Sequence, residues 1–396
     1  MRPPVTSLDN GDDPFADVSV AALRRRGTSK WSSYGDDVLA AWVAEMDFPL
    51  AAPVRAALHT AIEQGGAGYA PTPAASGVPA ACAAWLTRRY GLAVTAQQIR
   101  VLPDVLRGVT LAITTLSRPE SPVVILTPAY PPFFEAVRMA GRPIIEVPLA
   151  PGEGRATFDL AGVAAALRAG AGTILLCNPH NPLGRVFTRA ELTALATLVE
   201  EQGRDARVVA DEVHAPLVYP GATHVAYATV SEAAARQAVT LTSASKGWNI
   251  PGLKCAQIVL TNEADGERWD RLSVLATYGV SPLGLLANRV AFEQGESWLD
   301  QVVAYLDGNR GMLARLLAER LPRVRYVAPE GTYLAWLDCR ALGLAAPATF
   351  FLERAKVALS DGAAFGPPGQ GHVRLNFATS RAILTDIVEA MASAVS

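Results

Sequence analysis

The sequence predicts an α/β protein: a large domain on a mostly parallel sheet of the seven-stranded type, with a smaller α+β domain at the C-terminal end. Three observations carry this. Between residues 99 and 260, short β-branched runs alternate with helix-like segments, the rhythm of chained strand–helix units. After Pro282 the rhythm gives way to two long helical stretches and then to sparse strands separated by turns. The chain has 396 residues, half of them hydrophobic, enough for more than one core.

In chain order, residues 1 to about 30 carry Pro, Gly and Asp without sustained periodicity and read as an arm with one short helix at 20–26. Pro53 suits the first turn of a helix over 54–64, which Gly65-Gly66 ends; a second helix over 78–90 stops at Gly91. Strands are predicted at 99–102, 122–126, 143–147, 173–177, 207–210, 239–242 and 256–260. Helices at 106–116, 132–140, 160–169 and 189–202 fall between them. Beyond them lie helices at 283–294 and 298–321, strands at 324–327, 332–337 and 372–376, a helix near 349–356 and a last helix from Arg381. The expected division is residues 1–45 as arm and part of the small domain, 46–285 as the large domain, and 286–396 as the small domain.

Composition narrows the function. A net charge of −2 with no block of like charges leaves no electrostatic footprint for nucleic acid, so a small-molecule partner is expected. Cys82, Cys177, Cys255 and Cys339 form no C-x-x-C pair; Cys177 and Cys255 sit in apolar runs, where reduced, buried thiols are expected, and no metal site is expected. Residues 1–13 lack an apolar leader core, and no apolar run approaches the ~20 residues of a membrane helix. A soluble, cytoplasmic protein is the expectation.

In a parallel sheet, ligands gather at the carboxyl ends of the strands. Those ends carry Asp104, Tyr130, Asn178, Asp211 and Ser243. Ser243-Ala244-Ser245-Lys246-Gly247-Trp248-Asn249 follows one of them. Nothing bulky shields Lys246, and the adjoining glycine permits a sharp turn or close ligand approach. Such a lysine, partly desolvated, becomes a nucleophile. A Ser-x-Ser-Lys taken alone is more often a surface lysine on a polar loop. The Ser-x-x-Lys of penicillin-recognising enzymes requires Ser-Asp-Asn and Lys-Thr-Gly, and both are absent. Asp211-Glu212-Val213-His214 imitates a helicase box, but the phosphate-binding G-x-x-x-x-G-K-[ST] is missing, as is G-x-G-x-x-G.

The remaining polar groups need a joint explanation. Asp211 ends an apolar strand, and a buried carboxylate requires a cation or strong donor. Asn178-Pro179-His180-Asn181-Pro182-Leu183-Gly184 places amides at another strand end, and Tyr130 sits between stiffening prolines. Lys254 follows Pro251-Gly252. Together these could cradle a flat, anionic, nitrogen-containing ring.

Six phrases carry a family resemblance: Trp42-Val43-Ala44-Glu45-Met46-Asp47-Phe48; Thr127-Pro128-Ala129-Tyr130-Pro131-Pro132-Phe133-Phe134; residues 178–184; Asp211-Glu212-Val213-His214; residues 243–248; and Val373-Arg374-Leu375-Asn376-Phe377-Ala378. On these the chain resembles the fold-type I pyridoxal-phosphate enzymes of the aspartate-aminotransferase superfamily, and within them the cystathionine β-lyases (C–S lyases) of the MalY/PatB type. The likeness runs from about Lys30 to the last helix.

The resemblance implies the aspartate-aminotransferase fold, pyridoxal 5′-phosphate as cofactor, an amino-acid substrate and a homodimer. Lys246 would bond the cofactor aldehyde and later move the Cα proton. Asp211 would pair with the ring nitrogen, Asn181 donate to the ring oxygen, and Tyr130 stack on the ring. Ser243, Lys254 and the backbone N–H groups of Val105 and Leu106 would hold the phosphate. Tyr69 would reach the phosphate of a second subunit and contribute, with Asn181, to substrate binding. Arg374 would grip the substrate carboxylate. His214 stands where many aminotransferases place a tyrosine on the ring oxygen, but by itself reads rather as a hydrogen-bonded core histidine. Two positions depart from the family pattern: Arg107 in the phosphate-binding loop, and Tyr278 in the segment expected to line the substrate pocket.

The implied reaction is β-elimination from an S-substituted L-cysteine to a thiol, pyruvate and ammonia. An aminotransferase, or an enzyme that decarboxylates or oxidatively deaminates an S-conjugated cysteine, is the alternative on the same cofactor. A regulatory protein that uses the fold only for binding is a third reading, opposed by the presence of Lys246, Asp211, Asn181 and Arg374 together.

Overall fold

The computed structural model describes residue 15 and residues 18–152, 155–203 and 205–395; the polar stretch 1–13 lies outside the described residues. The central sheet has seven strands: β1 (Ile99–Leu102), β2 (Val123–Thr127), β3 (Ile144–Pro148), β4 (Thr173–Cys177), β5 (Arg207–Asp211), β6 (Ala238–Thr242) and β7 (Ala256–Leu260). Their spatial order is β1-β7-β6-β5-β4-β2-β3. The expected strands are all present, within a residue or so of the expected bounds. β2, β4, β6 and β7 are buried along their whole length; β2 and β4 read as near-continuous apolar runs, while β6 and β7 also bury Thr240, Thr242 and Gln257.

One strand breaks the parallel pattern. β7 runs antiparallel to both β6 and β1. Its beginning therefore lies at the edge where β4, β5 and β6 end. That reversal lets Lys254, which precedes its strand, share an edge with Asp211 and Ser243, which close or follow theirs.

The helix Val105–Thr115 lies close on this sheet. A Cβ on Gly108 would come within 2.4 Å of Leu241 Cδ2 and 2.8 Å of Leu102 Cδ1, so any larger residue would make those leucines shift. Asp104 caps it, accepting from the Arg107 N–H at 2.8 Å.

The C-terminal sheet is antiparallel and centres on β8 (Leu334–Asp338) and β9 (His372–Asn376), with Trp336 opposite Arg374. The helices Glu296–Arg320 and Arg381–Val395 pack together beside it. Leu39–Ala40 pairs in parallel with Val357–Ala358, tying the N-terminal segment to this region. The helix expected near 349–356 is instead a short helix, Pro347–Phe350, followed by one wide turn over Phe351–Ala355. Helices Glu232–Gln237 and Glu263–Asp270 were not foreseen; both are short, and the second is strongly polar, so neither shows a clear apolar stripe. Among the described residues no helix is long and apolar enough to cross a membrane.

Candidate active site

The edge shared by β4, β5, β6 and the start of β7 opens into a cavity of about 200 Å³. Lys246 reaches it from the short helix Ala244–Gly247. Ser243 caps that helix, its Oγ accepting from Ser245 N at 2.9 Å and donating to Cys255 O at 2.7 Å. The Lys246 amine donates to Ala44 O at 2.8 Å. Burial, then the nearby Arg374 cation, push its pKa down to about 8, while Asp211 and Glu45 pull the other way. Gly247 lies outside the cavity lining and packs closely: a Cβ there would lie 3.0 Å from Pro216 Cβ. The strained turn falls two residues later, at Asn249 (φ +57°).

Asp211 is the last residue of β5, buried, and accepts from Val213 N at 3.1 Å. Burial raises its pKa to about 6, against the Val213 N–H and the Lys246 charge; neighbouring Glu212 adds to the rise. The cavity thus has a carboxylate at its floor with no ion pair within 4 Å among the described residues, and beside it an amine held by a neutral carbonyl.

The loop after β4 divides its two asparagines. Asn178 is structural: its Oδ1 accepts from Phe187 N and its Nδ2 donates to Val225 O. Asn181 faces the cavity. Its Oδ1 accepts from Arg374 Nη1 at 3.0 Å, which leaves its amide N–H free to donate. His180 in the same loop buries its ring edge-on to Phe187, and burial lowers its pKa to about 4.

Arg374 is buried, and its partners are all neutral: Asn181, Trp42 O at 2.9 Å and Ser360 Oγ at 3.0 Å. Its Nε has no partner, and its plane lies 5.1 Å from the Phe365 ring. Burial pushes even this guanidinium down to about 10. A buried cation without a counter-ion is costly, so the site suits an anion that the described residues do not supply. Arg374, Tyr130 and Lys246 line a second pocket, which shares Ala44, Tyr130 and Lys246 with the lining of the first.

Tyr130 and His214 also line the cavity. His214 is held neutral: burial and the Lys246 and Arg374 charges keep its pKa well below the usual imidazole value. At the outer end stand Val105 and Leu106, which begin the helix Val105–Thr115, and Lys254, whose amine lies 3.3 Å from Asp104 Oδ2. Ser245 lines this end too, whereas the Ser243 hydroxyl is already engaged by the helix cap. Tyr69 stands apart, 93% exposed and outside the cavity lining of this chain, and so does Tyr278, expected near the substrate pocket but 67% exposed and outside both linings.

Residues that the sequence did not assign a role complete the site: Ala44, whose carbonyl holds Lys246; Tyr333, whose hydroxyl donates to the same carbonyl at 2.9 Å; and Asn376, which donates to Val43 O and Glu45 O at 2.7 Å. The phrase Trp42-Val43-Ala44-Glu45-Met46-Asp47 was a usable signal; for Tyr333 no local pattern exists.

The fold and this edge define a member of a known class: the chain matches the aminotransferase class I and II family over residues 40–391, and belongs to it. Within it, the chain is 42% identical to the cystathionine beta-lyase of Corynebacterium glutamicum, across 94% of this chain and 97% of that one. It is similar to a Corynebacterium diphtheriae crystal structure described as a candidate PLP-dependent beta-cystathionase, with TM-score 0.91, 42% identity and coverage of 95% and 98%. It is also similar to Treponema denticola cystalysin, which contains pyridoxal 5′-phosphate, with TM-score 0.87, 27% identity and coverage of 94% and 96%.

Proposed function

We propose that this chain is a pyridoxal-phosphate-dependent C–S lyase that cleaves the Cβ–S bond of an S-substituted L-cysteine of the cystathionine type, giving a thiol, pyruvate and ammonia. One observation carries the reading: Lys246, an amine of depressed pKa, lines both the cavity that holds a buried, unpaired carboxylate and the adjoining pocket that holds the buried, acid-free Arg374. Amino-acid chemistry needs that combination, a carboxylate grip beside an amine that can exchange a proton at Cα. The names of the relatives support the choice of substrate class.

The residues present fit the cofactor. Asp211 supplies the missing partner for a protonated ring nitrogen, and such a partner would in turn stabilise the Asp211 carboxylate. The free amide N–H of Asn181 suits a phenolic oxygen, and the Tyr130 ring a flat face. The helix N-terminus at Val105 and Leu106, Lys254 and Ser245 suit a phosphate. Ser243 would act there indirectly, by holding the turn. When bound, the cofactor supplies a conjugated ring that takes up the electron pair left at Cα.

The chain's own groups do the rest. Arg374 holds the substrate carboxylate as a planar fork and fixes its Cα bonds. Lys246, as a neutral amine, takes the Cα proton. His214 stays neutral and adds no second cation next to Arg374. We assign the protein to the cytoplasm on its four free, buried cysteines. We also propose a homodimer, in which the exposed Ile62 and Tyr69 would be covered and Tyr69 would meet the other subunit's phosphate group.

The test is direct. Purified holoprotein incubated with cystathionine should release pyruvate without any keto acid. Pyruvate or amino-group transfer that appears only when a keto acid is added would replace the lyase reading with transamination.

A further inference from the structure

The segment Trp42 to Asp47 crosses the site as a strap whose six carbonyls are all taken by side chains from elsewhere. Trp42 O accepts from Arg374 and Ser360, Val43 O from Asn376, Ala44 O from Lys246 and Tyr333, Glu45 O from Asn376 and Lys30, Met46 O from Asn249, and Asp47 O from Arg26. A loop pinned at every residue is a rigid reference against which a mobile side chain can be placed.

Ala44 is the position that faces the chemistry. Its oxygen has two lone pairs, and both are in use: one by the Lys246 amine at 2.8 Å, the other by the Tyr333 hydroxyl at 2.9 Å. Tyr333 is buried, and its ring meets that of His214 edge-on at 5.9 Å. Burial keeps its phenol protonated, so it is a permanent donor.

We propose that Tyr333 is a positioning residue for the reaction: by donating to the Ala44 carbonyl it shares the acceptor on which the free Lys246 amine rests, and so sets that amine's place and basicity. This deepens the lyase reading and rests on it for the role of Lys246. The physics is competition at one oxygen. With the phenol gone, the carbonyl is a better acceptor for the Lys246 N–H. A stronger hydrogen bond to a carbonyl favours the ammonium form. Lys246 would then titrate higher and be a poorer base at neutral pH. The other charged or titratable groups around Lys246 are Arg374 from β9, Asp211 from β5, Glu45 from the strap, and His214 and Tyr130 from loops. Replacing Tyr333 by phenylalanine keeps the aromatic ring beside His214 and removes only the phenol, which Arg374 and Glu45 also feel.

The experiment compares Tyr333→Phe with Tyr227→Phe, which removes an equally buried phenol bonded to Gln237 at 2.9 Å, outside the site. In the full-length, cofactor-free proteins, Lys246 is carbamylated with cyanate across a pH series and quantified by peptide mass. In the holoproteins, kcat and KM are measured separately. For Tyr333→Phe the labelling midpoint should rise by about one pH unit, and kcat at neutral pH should fall about tenfold with KM changed by less than about twofold. Tyr227→Phe should match the parent in both. Should Tyr333→Phe fold poorly, 3-fluorotyrosine at 333 keeps the bond with a stronger donor and should move the midpoint down. An unmoved midpoint, or an equal shift in Tyr227→Phe, overturns the proposal even if kcat falls. If the parent releases no pyruvate from S-substituted cysteines, the lyase reading fails, while the labelling midpoints still decide whether Tyr333 controls Lys246.

Discussion

Two lysine–aspartate sets lie buried in this chain, and they have opposite fates. Lys30 and Asp47 form a tight ion pair at 2.9 Å, both side chains almost fully enclosed. Its remaining polar atoms are engaged too: Trp31 Nε1 donates to Asp47 Oδ1 at 2.7 Å, and Lys30 donates to Glu45 O at 3.2 Å. Lys246 and Asp211 sit near enough for each to feel the other's charge, yet the lysine rests on a neutral carbonyl and the acid on one backbone N–H. The first set is satisfied and holds the strap in place. The second is left short of partners, and the cavity beside it is where a ligand would complete it. Residue type does not separate scaffold from site here; completeness of pairing does.

The sharpest test of that contrast is Lys246→Ala. Turnover of an S-substituted cysteine should fall by about 10⁴-fold, while the urea midpoint of the cofactor-free protein stays near the parent's. Lys30→Met should do the reverse in kind, costing about 3–5 kcal/mol of unfolding free energy by stranding Asp47. Adding Asp47→Leu should return much of that loss in urea melts, since an apolar pair needs no counter-ion. Arg374→Lys tests whether the acid-free guanidinium is a fork rather than a point charge: kcat/KM should drop about 100-fold, mostly through KM.

The smallest effect concerns Asp211 without cofactor. Its folded pKa of about 6 lies above its ordinary 3.8, so between those values the folded chain holds a proton that the unfolded chain has lost. Stability of the cofactor-free protein therefore falls as pH rises from about 4 to about 6. Asp211→Asn should remove that slope and leave the cofactor-free protein more stable by about 2–3 kcal/mol at neutral pH, with no difference below about pH 4. Chemical denaturation at a series of pH values reads this, and a slope unchanged in the variant would contradict the unpaired state of the carboxylate.

Much of the fold was legible because strand and helix periods are local. The runs ending at Cys177, Asp211 and Thr242 announce buried strands, and a parallel sheet brings their ends together; Asn181, Asp211 and Lys246 could be gathered on that ground. Tyr69 could be named but not placed, since a single chain leaves it exposed. Gly247 was legible as a constraint but not as to its cause, because Pro216, its close neighbour, comes from another segment.

Periodicity and strand-end chemistry thus specified the sheet, its ligand edge and the amine and acid that meet there. The reversed direction of β7, the pinning of the strap and the sharing of one carbonyl by Lys246 and Tyr333 came only with the folded chain. The reason is separation: Ala44 meets its two donors across 202 and 289 residues of sequence, and Trp42 meets Arg374 across 332. A hydrogen bond between groups so far apart leaves no period in either segment, so packing of the whole chain decides which carbonyl each donor finds.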